Sequence, residues 1–185
     1  MNKIFFVIIF IVVFNNTYAE EKNFELDKLF KQLQTKELKI ALKIEKKIWK
    51  IWSTHPSEGR KGYRLTDMLA KGELMLAKKN LNEAIQIFSL IISVDPNWAE
   101  AWNKRATALY LSGKYEDSIN DIKNVLQLEP RHFGAISGLG MNQIELRNYT
   151  QALKSYKKAL KIYPTMQGAK KMVSFLNDLI NSQTT

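Results

Sequence analysis

No cysteine occurs in the chain, so no disulfide can form and no thiolate is available as nucleophile or metal ligand. Histidine is almost as scarce. His55 and His132 stand alone, without partners at ligand spacing, so each reads as a surface or capping residue rather than part of a metal site. Glycine and proline are few, 8 and 4, and fall mostly at turns, which leaves no low-complexity segment and no interdomain linker. Neither a G-x-S-x-G elbow, a P-loop nor a G-x-G-x-x-G turn is present. Gly138-Leu139-Gly140 is a partial look-alike inside a helix-period segment, where packing accounts for both glycines. Glu116 and Asp117 are adjacent, and adjacent helical residues do not face one another. They suit the first turn of a helix, where negative charge favours the dipole. The expectation is a protein without metal, cofactor or catalytic constellation, stabilised by packing alone.

The first nineteen residues read as a leader. Lys3 gives a positive start, and Ile4 to Phe14 is an unbroken apolar run of eleven residues. Thr17-Tyr18-Ala19 follows as a small-x-small cleavage site before Glu20. The run is short of the roughly 20 apolar residues that span a bilayer, so cleavage is favoured over retention as an anchor. Export through a signal of this form implies a bacterium and a periplasmic destination, with release from the cell left open. Cleavage would remove Lys3, lowering the basic count from 28 to 27 and the net charge from +10 to +9.

What organises the remainder is a period. Pro96, Pro130 and Pro164 stand 34 residues apart. Gly72, Ala106 and Gly140 form one series of small residues, and Ala84, Ser118 and Ala152 a second. Phe88, Ile122 and Tyr156 are large, as are Leu81, Tyr115 and Tyr149. Within one period, Ala101, Trp102, Ala106 and Leu109 recur at helical spacing, then Ile119, Ile122, Val125 and Leu126. Ser112-Gly113 breaks the two runs, so each unit is a pair of antiparallel helices ended by proline. Small and large slots alternating at fixed period specify a repeat array.

These residues resemble the tetratricopeptide repeat (TPR) pattern, W-x2-L-G-x2-Y…A-x3-F…P. Trp102 matches the tryptophan and Leu139-Gly140 the leucine-glycine pair. Ala84 with Phe88, and Ala152 with Tyr156, match A-x3-F. Met68 and Ile136 replace tryptophan, Ser118 replaces alanine and Gln143 replaces tyrosine. The resemblance implies an all-α, right-handed α-solenoid of three helix pairs, at 65–96, 99–130 and 133–164. Residues 20–63 then form an N-terminal helical cap and loop, and 165–185 a C-terminal capping helix and tail. The cap carries Trp49 and Trp52 on one side and Lys39, Lys43, Lys46, Lys47 and Lys50 on the other. Those two sides also suit a docking helix. Thr54 to Tyr63 reads as loop.

The family's concave face is lined by the first helix of each pair. That implies a peptide groove made of Thr66, Leu69, Glu73 and Leu76, then Glu100, Asn103, Thr107 and Tyr110, then Ser137, Met141 and Ile144. One group of the family clamps chaperone C-terminal carboxylates with basic and amide residues along this groove. Here Asn103 alone resembles that set, and Glu73 and Glu100 would repel a carboxylate, so that ligand is rejected. Trp98 and Arg131 precede helices and suit the groove rim, packing or capping. The expected partner is a peptide or segment of another envelope protein. The alternative is a structural protein that meets anionic membrane or cell-wall surfaces through its basic face. Nucleic acid is not expected.

Overall fold

The computed structural model describes residues 20–182, so the expected leader lies outside the described residues. Helix α1 covers 20–33. It is followed by α2 (Leu38–Trp52), α3 (Gly59–Ala77), α4 (Leu81–Val94), α5 (Ala99–Leu111), α6 (Tyr115–Leu128), α7 (Phe133–Glu145), α8 (Tyr149–Ile162) and α9 (Gln167–Ser182). No strand occurs among the described residues. From α3 onward each helix packs on the next, and α3, α5 and α7 also meet one another, which makes an α-solenoid of three hairpins closed by α9.

Each hairpin is fastened by a small residue on its first helix facing a large one on its second. Gly72 faces Phe88, Ala106 shares a cluster with Ile122, and Gly140 faces Tyr156. A Cβ at Gly140 would lie 2.7 Å from the Tyr156 ring, so glycine is what permits the approach. Ala84, Ser118 and Ala152 are fully buried at the matching slot of the second helix. Ser118 donates 2.8 Å to the carbonyl of Ala106 and accepts 3.0 Å from Asn142, which is how a hydroxyl replaces alanine there without an orphaned group.

The turns repeat as strictly as the core. Lys79, Gly113 and Arg147, 34 residues apart, all adopt the left-handed region, at φ 60°, 74° and 58°. The following amides of Asn80, Lys114 and Asn148 reach back to the carbonyls of Met75, Leu109 and Gln143, a Schellman closure at the end of every first helix. At the other end, Asp95 and Glu129 take extended backbone before Pro96 and Pro130, as the residue preceding proline must. Their amides close on Ile91 and Val125.

Two expectations are corrected. Residues 59–63 are helical, not loop: Gly59, at φ 75°, turns the chain directly into α3. The N-terminal pair does not sit on the open flank of the first repeat as a cap. Its apolar residues Leu26, Leu29, Phe30, Leu33, Ile44, Ile48 and Trp52 cluster with Phe133 and Tyr163, and with Ile162 and Met166. Those partners belong to the third repeat and the start of the closing helix. The pair therefore runs along the array as a strap. At one end Gln34 donates to the carbonyls of Lys161 and Ile162 at 3.2 and 2.9 Å. At the other, Lys22 donates to those of Thr54 and His55. In the closing helix Ala169 and Leu176 are buried, while Lys170, Lys171, Ser174 and Phe175 are exposed.

Candidate functional site

The strap decides which part of the inner curve is open. Trp52 stacks on His132 with centroids 3.9 Å apart and 8° between planes. Its backbone carbonyl accepts 2.9 Å from the Trp98 indole. Trp49 lies against Gly134, where a Cβ would stand 2.6 Å from the indole, so only glycine admits the strap there. Glu45 accepts 3.0 Å from the Tyr163 hydroxyl. Arg131 pairs with Asp27 at 2.5 Å and lies over the Phe30 ring at 4.4 Å. Trp98 and Arg131 thus hold the strap rather than a rim for ligand.

Beneath the strap a chain of charges joins the three repeats. Lys104 reaches Glu73 at 2.6 Å and Glu100 at 3.2 Å. The other oxygen of Glu100 meets Nε2 of His132 at 2.9 Å. Nδ1 of His132 accepts the Ala135 amide, capping α7. Because Nδ1 accepts, Nε2 carries the proton and donates to the carboxylate. Burial alone would raise the Glu100 carboxyl, but His132 and Lys104 outweigh it and hold it below the ordinary carboxylate range. Burial likewise works against the Lys104 ammonium, and Glu100 and Glu73 raise it instead. His55 is built the same way. Its Nδ1 accepts the Ser57 amide and its Nε2 meets Asp95 at 2.9 Å. Both histidines are fully buried fasteners, not surface residues.

The expected groove residues therefore separate into two sets. Leu69, Glu100 and Asn103 are buried, at 1%, 1% and 8% exposure; Leu69 and Glu100 serve the fold and are withdrawn from the ligand surface, while Asn103 still lines the slot between α5 and α7. Asn103 donates to Glu100, inside the charge chain. Thr66 accepts the His55 amide at 3.0 Å and fixes the loop. Ser137 turns toward Met166, and Ile144 packs with the α8–α9 cluster. What remains open is the lower half of the curve, where Thr107 and Met141 are exposed and Glu73 and Tyr110 partly so. A slot of about 70 Å³ between α5 and α7 is lined by Thr107, Tyr110, Gly134, Gly138, Met141 and Asn142. Its α7 wall is made by Gly134, Ala135, Gly138, Met141 and Asn142, with Gly134 covered on one side by Trp49. The Tyr110 and Tyr115 hydroxyls both donate to Glu145, at 3.3 and 3.4 Å. Burial first, then the Glu145 charge, raises both phenols.

Sequence reasoning missed Glu145, while Gly134 and Gly138 were legible as groove positions that lack the basic or amide side chain of a carboxylate clamp. The signal was available in the period: Gly138, Met141 and Glu145 lie four, seven and eleven residues from Gly134, on one helical stripe. Among the described residues no group of three or more metal-ligating side chains occurs, and no helix is long and apolar enough to cross a membrane.

Comparison with known proteins fits this architecture. A family model described as tetratricopeptide repeat matches residues 99–132 and 134–166, the second and third hairpins. A TPR repeat-containing protein of Rhizobium etli is 29% identical over 177 residues, covering 92% of this chain and 84% of its own. Small glutamine-rich tetratricopeptide repeat-containing protein 2 of Mycosarcoma maydis is 24% identical over 116 residues, and the chain spans only 33% of its length. Among solved structures, the Sgt2 TPR domain from Aspergillus fumigatus superposes with a TM-score of 0.62 at 20% identity, over 65% of this chain and 82% of that one. The first TPR of Spaghetti (RPAP3) bound to an HSP90 peptide gives 0.61 at 20%, over 63% and 93%. The TPR2B domain of yeast Sti1 in complex with an Hsp70 peptide gives 0.59 at 16%, over 63% and 98%. At these identities the likeness concerns the fold.

Proposed function

Because the chain is a tetratricopeptide repeat protein, we propose that it is a non-catalytic interaction module that holds a peptide segment of an envelope protein in the open lower half of its inner curve. One observation carries the reading. Where α2 fills the upper half, Thr107, Tyr110 and Met141 are left facing outward around a slot with glycine backbone on its far wall. A groove of that kind suits an extended segment whose apolar side chains meet Met141 and whose backbone bonds to Thr107 and Tyr110. The solved relatives that carry chaperone peptides support a peptide as ligand, not that particular peptide. Here Glu145, exposed beside Tyr110 and without an ion pair among the described residues, disfavours a C-terminal carboxylate, whereas Glu73 is paired with Lys104.

The leader at residues 1–19 supports a periplasmic site of action. Fractionating cells that carry the tagged full chain tests this, and retention in the cytoplasm counts against it. The binding test is Tyr110→Ala with Met141→Glu, followed by capture from envelope extract. Loss of the partners held by the unaltered chain, with an intact helical spectrum, supports the groove. Unchanged partners remove it.

A second reading rests on α2. Lys39, Lys43, Lys46, Lys47 and Lys50 all lie exposed or nearly so on its outer side, without an ion pair among the described residues. That stripe suits an anionic lipid or polymer surface, and sedimentation with anionic vesicles at low and high salt tests it.

A further inference from the structure

The first repeat has an open flank, separate from the inner curve. Its position is one that the array itself defines. In the second and third repeats, the equivalent flank of α5 and α7 receives the second helix of the preceding hairpin: α4 packs on α5 and α6 on α7. On α3 nothing among the described residues takes that place, because the strap lies elsewhere. The result is a groove of about 600 Å³ between α3 and α4, lined by Leu65, Met68, Leu90 and Val94 along its floor and by Arg60, Lys61 and Arg64 along one wall. Leu90 is 53% and Val94 48% exposed.

The charge of the wall is uniform. Arg60, Lys61 and Arg64 are exposed, and none makes an ion pair among the described residues. The nearest acids are committed or displaced. Asp67 is held by Lys71 at 2.8 Å, and Asp95 by His55 at 2.9 Å. Glu58 lies around the corner, on the loop lined by Thr54, His55 and Ser57. A helix-receiving apolar floor beside three unpaired cations selects an amphipathic helix with acids flanking its apolar stripe.

We infer that this flank binds an acidic amphipathic helix of a partner protein. Two other occupants are disfavoured by sign. A second copy stacking its α9 there would bring Lys170 and Lys171 against the arginines, with Asp178 as the only acid on that helix. The chain's own residues 1–19 contain Lys3 and no acid. An anionic membrane matches the charge, but the apolar side chains line a concavity between two helices, which suits a rod better than a plane.

The test uses the full chain and two synthetic 18-residue helices sharing one leucine stripe, flanked in one by glutamates and in the other by lysines. Fluorescence anisotropy should show binding of the acidic helix, weakened by salt and weakened about tenfold or more by Arg60→Glu with Arg64→Glu. The lysine helix should not bind. Arg60→Gln with Arg64→Gln should give an intermediate loss, which guards against misfolding of the reversed variant. Tyr110→Ala with Met141→Glu should leave acidic-helix binding unchanged, so that failure of the inner-curve reading and failure of this one remain distinct. Equal binding of both helices, or indifference to the charge reversal, overturns the proposal. So does a charge reversal that abolishes sedimentation with anionic vesicles while the acidic helix shows no binding, since the flank is then a membrane surface.

Discussion

Gly72→Ala measures how tightly the hairpins are closed. In an unconstrained helix this substitution stabilises by about 1 kcal/mol, because alanine loses less backbone entropy than glycine. Here the new methyl would meet the Phe88 ring at Cε1, at Cζ (2.7 Å) and at Cδ1 (2.9 Å). Phe88 is fully buried and cannot swing into solvent. Overpacking typically costs about 1–3 kcal/mol, and three buried ring atoms within 3.0 Å put this site in the upper part of that range, about 2–3 kcal/mol, so the clash outweighs the helical gain. The net expected loss is about 1–2 kcal/mol, a fall of roughly 2–8 °C in Tm for a chain of this size. Gly138→Ala is the matched control. Its methyl would meet only Ile122 Cδ1, at 3.6 Å, which is ordinary contact, so that variant should gain the helical term. Phe88→Ile recreates the Ala106–Ile122 pairing of the second repeat and should relieve the clash in the double variant, with a coupling of about 1 kcal/mol or more in the cycle. Thermal and urea unfolding followed by circular dichroism read the unaltered chain and all four variants. If Gly72→Ala is as stable as the unaltered chain, or more so, the close-approach argument is wrong.

Acid should loosen the structure in two stages. Burial, opposed by Asp95, lowers His55 below its ordinary 6.5, so the unfolded chain takes up a proton that the folded one refuses. The stability that His55 contributes is complete above about pH 6.5 and declines as the pH falls below it. Glu100 is held below its ordinary 4.5, so its contribution is present above that pH and is lost as the pH falls through the lower folded value. Urea midpoints between pH 7.5 and 3.5 check both, and His55→Gln should flatten the upper stage. Trp52→Ala should cost about 3–5 kcal/mol by emptying the His132 stack, with Trp52→Phe milder because the indole Nε1 has no partner among the described residues; urea unfolding ranks the two. Arg147→Gly should raise stability by about 1 kcal/mol, since a non-glycine residue holds φ 58° there, while Gly113→Ala at φ 74° should lower it, both read as shifts in Tm.

The repeat array was legible because stacking leaves a covariant trace. Gly72 with Phe88 and Gly140 with Tyr156 state a contact at fixed period, and each proline marks the end of a hairpin. The strap was not legible in its place. Its contacts join residues far apart in the chain, such as Trp52 with Trp98 at 46 positions and Glu45 with Tyr163 at 118, and a single copy of a segment carries no period to reveal its partner. The apolar stripe of α2 shows that something is covered, not what. The inner curve was read too generously, since Glu100 looks like a groove residue until α2 lies over it. Likewise His55 and His132 were legible as caps and illegible as buried anchors, because burial there depends on Trp98 and Trp52 arriving from distant parts of the chain.

The strap's seat governs every functional statement above, and the absence of cysteine makes it directly measurable. Glu45→Cys should be joined by a short bismaleimide to a cysteine replacing Tyr163 and not to one replacing Leu90, with the bridged peptides identified by mass spectrometry. Efficient bridging to position 90 with none to position 163 would place the helical pair on the first repeat's flank, uncover the whole inner curve and contradict the account.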